Sequence, residues 1–461
     1  MIDTHRIAWV YGAFALLALA GFVLRPGRAT AAWCYFGGWL LLPVGAYPPY
    51  THGPATPIEI MGLVLPANML VSKAAVVAMV TCIVSLVRDH RRWLALRWRP
   101  LDAAILAWCA WPLLRAIVAG DIAGGATQSA YLLAAWGGSW LLGKLYFAGE
   151  DGAVALLEGM AWSGMALLLV AMVELVHGPL VYEMFYGRHP YQKDGVERYL
   201  GHRPLAMFED GNQYGIWIAM AALAAIVLVR RDIKWRPGAI VLAIAAVASQ
   251  SVGAIALLAV GVLAWSGRVR VPARWWKLAG GGLIALAALY VSGIVPFERI
   301  ARHTAVGEHI LAIVRSTGRG SFLWRISQDQ KVMPLIHQHL LLGWGRWDWW
   351  MPVGYRPWGV PMLTVGQYGL AGLALMMAAM LVAPVLALVR GSLKINVGIV
   401  ALIVLLAAID AALNSFIFWP AIVAVGGLAD RLSLTAPKRG ADRRNAVDNA
   451  APVLPLGPAT P

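Results

Sequence analysis

The sequence predicts an all-α fold, a polytopic transmembrane helical bundle of about 12 or 13 helices. The chain has 461 residues, of which 60% are hydrophobic and only 13% are charged, and its mean hydropathy is +0.67. Apolar runs of about 20 residues recur between short polar segments, and this is the length that a helix needs to cross a bilayer. A soluble domain does not require so much apolar surface, and a single core stops growing well below this chain length.

Eleven apolar runs follow one another along the chain, and each is a predicted membrane segment. Two of them, 237–267 and 395–429, are too long for one helix and contain polar residues, so we predict two short, closely turned helices in each. The first run is followed by RPGR rather than by a small-residue cleavage site, so no cleavable signal peptide is predicted. In order, the runs are 7–24, 31–47, 58–87, 101–118, 127–143, 152–177, 212–229, 237–267, 277–295, 359–389 and 395–429.

Arginine and lysine residues predict the orientation of these helices, because cytoplasmic loops carry an excess of both. The net charge of +15 is therefore attributed to helix ends rather than to a nucleic-acid partner. The alternation places two larger segments, 178–211 and 296–358, on the outer side of a membrane domain of residues 1–434. Residues 435–461 are rich in Ala, Pro and charge and predict a disordered cytoplasmic tail. The basic segments assigned to the cytoplasmic side are 25–28, 88–99, 230–236, 268–277 and 390–394.

The second outer segment carries an excess of cations. It contains eight Arg or Lys residues against four Asp or Glu residues. Guanidinium groups match phosphate oxygens in a bidentate geometry, so this excess predicts a site for the diphosphate of a lipid-linked substrate. The alternative is that single arginines pair with carboxylates or lipid headgroups. The cations are Arg299, Arg302, Arg315, Arg319, Arg325, Lys331, Arg346 and Arg356, and the anions are Glu298, Glu308, Asp329 and Asp348.

The first outer segment ends in GHRPLAMFEDGNQYG, residues 201–215, directly before an apolar run. We predict that a helix starts near Asn212. Glu209 and Asp210 precede that start, where a carboxylate can cap free backbone N–H groups. The functional alternative is that one of them acts as a general base on a hydroxyl group, held near Arg203. The sequence leaves both roles open.

The stretch GRGSFLWRISQDQKVMP predicts a Gly-flanked turn and then a short amphipathic helix from about Ser321. Four apolar residues of this helix recur at helical spacing and are expected to lie on the membrane domain. Arg325 and Gln328 are three residues apart and are expected to share another face. The aromatic patch at 343–350 suits either a membrane interface or a sugar ring. The four apolar residues are Phe322, Ile326, Met333 and Ile336.

Neither metal nor nucleotide chemistry is predicted. His337 and His339 are two residues apart and cannot both ligate one metal from a helix, although each is a candidate base on the outer face. The chain has no P-loop or GxGxxG motif, so no cofactor is expected. Asp410 is a candidate midplane carboxylate, and Glu174 is expected at an interface. The three cysteines fall inside apolar runs and are expected to be small core residues: Cys34, Cys82 and Cys109.

Three stretches, HRPLAMFEDGNQYG, TGRGSFLWRISQDQKVMPLIHQHLLLGWG and GQYGLAG, occur in this order within roughly residues 200–375. With their expected place on the outer face, they resemble the O-antigen ligase / O-antigen polymerase superfamily of bacterial inner-membrane proteins. There are two departures from the family pattern. Trp358-Gly359 stands where the family has a His-Asn pair that supplies its base, and Ser251-Val252-Gly253 stands where it has Ser-Arg-Gly. The resemblance maps the family pattern onto Arg203, Phe208, Asn212, Arg319, Trp324 and Gly343.

The resemblance implies a metal-independent glycosyl transferase at the periplasmic face of a bacterial inner membrane. Its donor would be an oligosaccharide linked to undecaprenyl diphosphate, and its acceptor a second glycan. Membrane lipids and other polysaccharide export components are further candidate partners. Arginines would hold the diphosphate, which leaves as the acceptor hydroxyl attacks the anomeric carbon. The expected substrate-binding residues are Arg203, Arg319, Arg325, Arg315, Asn212 and Trp324, and the candidate bases are Glu209, Asp210, His337 and His339.

Three functions follow as hypotheses. The first is a polymerase that joins lipid-linked repeat units into exopolysaccharide, capsule or O-antigen. The second is a ligase of the same chemistry that moves a finished glycan to an acceptor. The third is a non-enzymatic glycan or lipid transporter, which predicts charged or broken midplane helices and repeat symmetry. A cationic outer segment favours the two enzymes.

Overall fold

The computed structural model describes residues 4–44, 72–187, 189, 197–198, 200–267, 281–282, 285, 289–293, 295, 297–316, 321–390 and 395–431. Within these residues the protein is almost entirely helical, with one antiparallel hairpin of two-residue strands. The predicted all-α class is confirmed for this part of the chain. The predicted tail at 435–461 and most of the predicted run 277–295 lie outside the described residues.

Helices α1 to α9 lead from the N-terminal region to the first outer segment. Ser72 caps α3, because its side chain accepts a hydrogen bond from the backbone N–H of Ala75 at 3.2 Å. A π-helical turn, Leu133–Gly137, joins α6 to α7 without a break. The bounds are α1 Thr4–Leu24, α2 Arg28–Leu41, α3 Lys73–Arg88, α4 His90–Leu94, α5 Asp102–Ala119, α6 Ile122–Leu132, α7 Gly138–Tyr146, α8 Gly149–His177 and α9 Leu180–Tyr186.

The second half of the chain begins with the hairpin of β1 (Glu197–Arg198) and β2 (Gly201–His202). Helix α16 is bent at Gly369, whose φ of 72° lies in the left-handed region that a glycine adopts most readily. Short 3₁₀ turns occupy Ile233–Trp235 and Met351–Val353. The helices are α10 Gly211–Leu228, α11 Arg236–Ala248, α12 Val252–Trp265, α13 Phe297–His303, α14 Ala305–Ser316, α15 Ser321–Gln338, α16 Val360–Arg390, α17 Ile395–Leu413 and α18 Pro420–Arg431.

Five helices within the described ranges are long and apolar enough to cross a membrane, namely α5, α8, α10, α16 and α17. Helix α10 is the centre of the bundle, since 89% of its apolar window is buried inside the protein. Helix α8, in contrast, leaves large apolar side chains such as Leu169 and Met172 exposed. An apolar exterior around a buried helix suits a lipid environment. The number of 12 or 13 spans stays a prediction.

Both overlong apolar runs are divided as the sequence predicts. The run 237–267 forms α11 and α12, which are separated by the buried polar turn 249–251. The run 395–429 forms α17 and α18, with a non-helical connection at 414–419. Each of these two interruptions places buried polar residues at the end of a helix.

The three cysteines are buried and carry free thiols, which confirms their assignment as core residues. Cys82 donates a weak hydrogen bond from Sγ to the carbonyl of Gly138 at 3.4 Å, and so links α3 to α7. A small polarisable side chain at this contact lets the two helix backbones approach closely.

A buried ion pair joins α5 to α7 at the end of the bundle next to the basic segment 88–99. Lys144 Nζ contacts the carboxylate of Asp102 and donates to the carbonyl of Arg97 at 2.7 Å. The ammonium also lies 5.0 Å from the centroid of the Trp140 ring. Removal of Lys144 would leave the buried carboxylate of Asp102 without its cation, so this contact fixes how the two helices meet.

The second outer segment contains three helices, α13 to α15, rather than one short amphipathic helix. Helix α15 starts at Ser321 as predicted, and Met333 and Ile336 are buried as predicted. Gln328, expected on another face together with Arg325, is buried along with Ser327 and Asp329. The hydrogen bond from the backbone of Trp358 to Asp329 shows that residues near 358 also contact α15. That Arg325 and Gln328 share a face stays a prediction. The side chain of Phe322 lies outside the described residues.

Candidate functional site

Two arginines of the second outer segment meet at one indole ring. The guanidinium carbon of Arg325 lies 5.1 Å from the centroid of the Trp358 ring, and that of Arg356 lies 5.0 Å from it. The ring of Trp324 lies 5.3 Å from the same ring, between centroids. We call these four residues the arginine–tryptophan cluster. The negative face of an indole attracts cations, which helps to hold two like charges near each other.

The turn that follows α17 fixes both guanidinium groups. Arg325 donates from Nη1 to the carbonyl of Leu413 at 2.9 Å and to Oδ1 of Asn414 at 2.6 Å. Arg356 donates from Nη2 to Oγ of Ser415 at 2.7 Å. All three acceptors are uncharged oxygens. These bonds therefore orient the guanidinium groups without neutralising their charge.

Asp410 supports this turn. It is buried in the last turn of α17, and its Oδ1 accepts a hydrogen bond from Nδ2 of Asn414 at 2.9 Å. The predicted midplane position stays a prediction; in the fold Asp410 lies three residues before the end of α17 at Leu413. The carboxylate orients the asparagine whose oxygen accepts from Arg325.

A second buried carboxylate lies one helical turn after Arg325 on α15. Asp329 accepts hydrogen bonds from the Tyr290 hydroxyl at 2.6 Å and from the backbone N–H of Trp358 at 2.9 Å. Burial raises the pKa of Asp329 to about 6, although Arg325 and the two hydrogen bonds favour the ionised form. In the sequence Asp329 is only one of the four anions of the second outer segment, and its contact with Trp358 is not predicted. Its i+4 spacing from Arg325 was the available signal.

Two other arginines of the segment pair with nearby carboxylates. Arg302 contacts Glu298 at 3.0 Å, and Arg346 contacts Asp348 at 2.7 Å. For these two arginines the structure therefore shows the alternative to a diphosphate site, namely pairing with nearby carboxylates. Their partners are exposed or half-buried carboxylates two and four residues away in the chain, whereas Arg325 and Arg356 also donate to oxygens of the turn after α17.

The remaining expected cations are placed only in part. The ammonium of Lys331 lies 4.0 Å from the centroid of the Tyr355 ring. Tyr355 directly precedes Arg356 in the chain. Arg315 belongs to α14, but its side chain is outside the described residues, and Arg319 is outside them altogether. The substrate-binding roles of Arg315 and Arg319 stay predictions.

The first outer segment enters α10 through a buried, non-helical loop, residues 203–210. Arg203 is only 3% exposed and donates from Nη2 to Oδ1 of Asn212 at 2.6 Å. The hydroxyl of Ser251, in the turn between α11 and α12, lies 3.4 Å from the same oxygen. A Cβ at Gly211 would lie 2.4 Å from Nε of Arg203, so the glycine makes room for the guanidinium. Arg203 and Asn212, which the resemblance maps, are thus in direct contact.

Asp210 caps α10, as one of its two predicted roles requires. Its side chain accepts hydrogen bonds from the backbone N–H groups of Asn212 and Gln213, the latter at 3.3 Å. Glu209 is buried, and its own backbone N–H donates to Oε1 of Gln213 at 3.2 Å. The base role proposed for Glu209 or Asp210 stays a prediction.

Two buried charges from neighbouring helices hold this loop. Glu174 is fully buried and accepts hydrogen bonds from the backbone N–H groups of Leu205 at 2.9 Å and Ala206 at 2.6 Å. Lys73 donates to the carbonyl of Met207 at 2.6 Å. The expected interface position of Glu174 stays a prediction; in the fold the residue lies three residues before the end of α8 and pairs backbone N–H groups of a loop buried in protein.

The two candidate histidines contact different neighbours, as their spacing predicts. Nε2 of His337 lies 2.8 Å from the carbonyl oxygen of Ser292, and the ring of His339 packs edge-on against Trp344 at 4.2 Å between centroids. Both side chains are exposed, and their role as bases stays a prediction. Across the described ranges, no group of three His, Cys, Asp or Glu side chains could hold a metal ion.

The GWG turn, to which Gly343 belongs, is docked on the membrane helices. Arg115 of α5 donates from Nε to the carbonyl of Leu342 at 3.1 Å, and Gln128 of α6 donates to the carbonyl of Gly345 at 2.8 Å. A Cβ at Gly345 would lie 1.5 Å from Nη1 of Arg115. This part of the resemblance thus corresponds to a backbone contact that positions the second outer segment.

An aromatic layer connects the buried loop to the arginine–tryptophan cluster. The connection after α17 continues from Ser415 to Phe418, whose ring lies 5.5 Å from that of Trp217. Trp217 in turn lies 5.0 Å from Phe208 in the buried loop, again between ring centroids. Both regions are therefore at one end of the bundle, where α10 begins and α17 ends.

Comparison with known proteins adds no relative. No protein-family profile, curated protein or solved structure matches this chain. The functional conclusion therefore depends on the site itself and on the motifs that it contains.

Proposed function

We propose that the protein is a metal-independent membrane glycosyl transferase that polymerises oligosaccharides linked to undecaprenyl diphosphate. The reaction would take place at the periplasmic face of a bacterial inner membrane and would build exopolysaccharide, capsule or O-antigen. The observation that carries this proposal is the arginine–tryptophan cluster. It presents two guanidinium groups on one indole ring, at the end of a helix of membrane length.

The chemistry of the cluster suits a diphosphate. When the anomeric C–O bond breaks, negative charge develops on the leaving diphosphate, and preorganised cations stabilise it. Arg325 and Arg356 are held by uncharged oxygens of the turn after α17, so their orientation is set before substrate binds. Lys331 lies on the neighbouring Tyr355 and supplies a third cation. The polyprenyl chain of such a donor would lie along the apolar exterior of the helices.

The proposal is tested by ligand binding. The full-length protein in lipid nanodiscs should bind undecaprenyl diphosphate and should bind undecaprenol, which lacks the phosphates, far more weakly. Arg325→Ala and Arg356→Ala should each weaken diphosphate binding at least about tenfold, which corresponds to about 1.4 kcal/mol. Loss of one of two fixed charge-assisted contacts to phosphate accounts for an effect of this size.

The chain offers matched controls for this measurement. Arg302→Ala and Arg346→Ala remove arginines of the same segment that are paired with carboxylates, so both should bind undecaprenyl diphosphate as the wild type does. Equal binding of undecaprenol and undecaprenyl diphosphate by the wild type would contradict the proposal. So would unchanged binding in Arg325→Ala and Arg356→Ala.

Deletion of the gene separates the polymerase from the ligase. A polymerase mutant should accumulate single lipid-linked repeat units and lack long polymer. A ligase mutant should accumulate full-length lipid-linked polymer that is not transferred. Unchanged lipid-linked and surface glycans would contradict both enzymes.

A further inference from the structure

Asp329 is a carboxylate that contacts the backbone of the arginine–tryptophan cluster. It is 5% exposed and lies on α15 one turn after Arg325. Its Oδ1 accepts the backbone N–H of Trp358, the residue whose ring both arginines contact, and its Oδ2 accepts the hydroxyl of Tyr290. The group is thus fixed at both oxygens and joined to the cluster through the main chain.

We propose that Asp329 is the general base that removes the proton from the acceptor hydroxyl, an inference that rests on the glycosyl transfer proposed above. The resemblance leaves the base unassigned, because Trp358 stands where the family has histidine. In this chain the backbone at that same position holds a carboxylate instead.

The two hydrogen bonds to Asp329 leave lone pairs on both of its oxygens for a further proton donor. An ionised carboxylate has about four lone-pair sites, and the hydrogen bonds from Tyr290 and Trp358 use one on each oxygen. Both contacts orient the carboxylate, which is what a base of defined geometry requires. A buried carboxylate is also a stronger proton acceptor than a solvated one, since burial raises the pKa of Asp329 to about 6.

The reaction balances without a metal or a cofactor. The acceptor oxygen forms a bond to the anomeric carbon of the donor, and its proton passes to an oxygen of Asp329. The bond between the anomeric carbon and the diphosphate oxygen breaks, and its electron pair stays on the diphosphate. Arg325 and Arg356 stabilise that charge, and Asp329 then returns its proton to solvent.

Several charged or titratable groups near Asp329 influence how turnover depends on pH. Tyr290 donates to it, and the positive charge of Arg325 favours its ionised form. Arg356 lies across the Trp358 ring, and Asp410 acts on Arg325 through Asn414. Lys331 and His337 follow on α15 itself. The arginines are cations throughout the useful pH range, so a change near pH 6 reports a carboxylate or a histidine.

The test uses turnover and donor binding in parallel. Lipid-linked oligosaccharide extracted from the deletion strain is the donor, and undecaprenyl diphosphate is the binding probe, both with the full-length protein in nanodiscs. Asp329→Asn keeps an amide oxygen for the Trp358 N–H but cannot take the proton. Its turnover should fall about 10²- to 10⁴-fold, the usual range for loss of a general base, while diphosphate binding stays within about threefold of the wild type.

Three further variants separate the base from a structural role. Asp348→Asn, a carboxylate of the same segment paired with Arg346, should turn over normally. Tyr290→Phe keeps the carboxylate and should lower turnover far less than Asp329→Asn. Asp329→Glu should recover part of the turnover. If Asp329→Asn does not fold, the wild type and the double variant His337→Ala/His339→Ala should both lose turnover as pH drops below about 6. A fall only in the wild type would assign the change to a histidine and overturn the proposal.

Each outcome has one meaning. Wild-type turnover by Asp329→Asn, or wild-type turnover that is flat down to pH 4, would overturn the base assignment and leave the proposed function standing. Loss of diphosphate binding together with turnover in Asp329→Asn would also overturn it, because the residue would then only position the arginines. A wild-type protein that neither binds the diphosphate nor turns over would overturn both proposals.

Discussion

Two arginines of this protein make the same contact in different surroundings. Arg203 donates to Oδ1 of Asn212 at the start of α10, and Arg325 donates to Oδ1 of Asn414 just after α17, both at 2.6 Å. Arg203 is 3% exposed, whereas Arg325 is half-buried and borders Trp324, which is 48% exposed. We call the first region sealed, because its arginine is excluded from solvent, and the second open, because its arginine reaches the surface. The comparison teaches that an arginine–asparagine pair at a helix end supports packing in a sealed region and can present its charge to a ligand in an open one.

The surroundings of Arg203 explain why it is sealed. The loop 203–210 lies outside helices and strands, so several of its buried backbone groups are paired by side chains inside the protein. Glu174 and Lys73 supply such contacts from α8 and α3. The predicted contact of Arg203 with diphosphate stays a prediction, but its burial already makes it part of the framework behind the site.

The largest expected effect comes from the support of the sealed loop. Glu174→Ala leaves the backbone N–H groups of Leu205 and Ala206 buried without acceptors. Each such group costs about 1–3 kcal/mol, so we expect a loss of stability of about 2–6 kcal/mol. The measurement is the yield of monodisperse protein and its thermal unfolding midpoint in detergent. Asp151→Ala, an exposed carboxylate on the same helix, is the control and should behave as wild type. A wild-type midpoint in Glu174→Ala would show that the loop is not held as described.

A smaller effect is expected from the contact between Arg203 and Gly211. In Gly211→Ala the new Cβ would lie 2.4 Å from Nε of Arg203, so the guanidinium must move away from Asn212. Overpacking of this kind costs about 1–3 kcal/mol, and the thermal midpoint should fall accordingly. Gly37→Ala in α2 meets no atom within 4 Å and should be neutral or slightly stabilising. If Gly211→Ala were as stable as Gly37→Ala, the guanidinium of Arg203 would not be tightly packed against Gly211 as described.

The comparison also shows which parts of the site the sequence could predict. The cap of α10 follows from an Asp–Gly–Asn sequence before an apolar run, because capping depends on residues within one helical turn. The excess of cations in the second outer segment can also be counted from the sequence, and it includes both arginines of the cluster. The hydrogen-bond partners of Asp329 and Glu174 cannot be predicted in this way. Tyr290 is 39 residues from Asp329, and Leu205 is 31 residues from Glu174. Contacts over such distances depend on how helices pack, which no local pattern encodes.

The smallest expected effect has the opposite sign and concerns Asp329 in the open region. Its pKa is raised from 3.8 to about 6 by burial, so the folded protein binds this proton more tightly than the unfolded chain does. The stability of the wild type should therefore fall as pH rises from about 4 to 6 and should not change further through this group at higher pH. Asp329→Asn does not titrate, and its amide keeps an acceptor for the Trp358 N–H. Its thermal midpoint should thus match the wild type near pH 4 and exceed it by a few degrees at pH 8.

That difference would separate the two carboxylates by what they do. Glu174 stabilises the protein because its oxygen accepts two buried backbone N–H groups, and its removal should destabilise at every pH tested. Asp329 should cost stability when ionised, and such a cost is retained where a group is needed for chemistry rather than for packing. A midpoint of Asp329→Asn below that of the wild type at pH 8 would mean that Asp329 is also a packing residue. In that case the sealed and open regions would differ less than their exposure indicates.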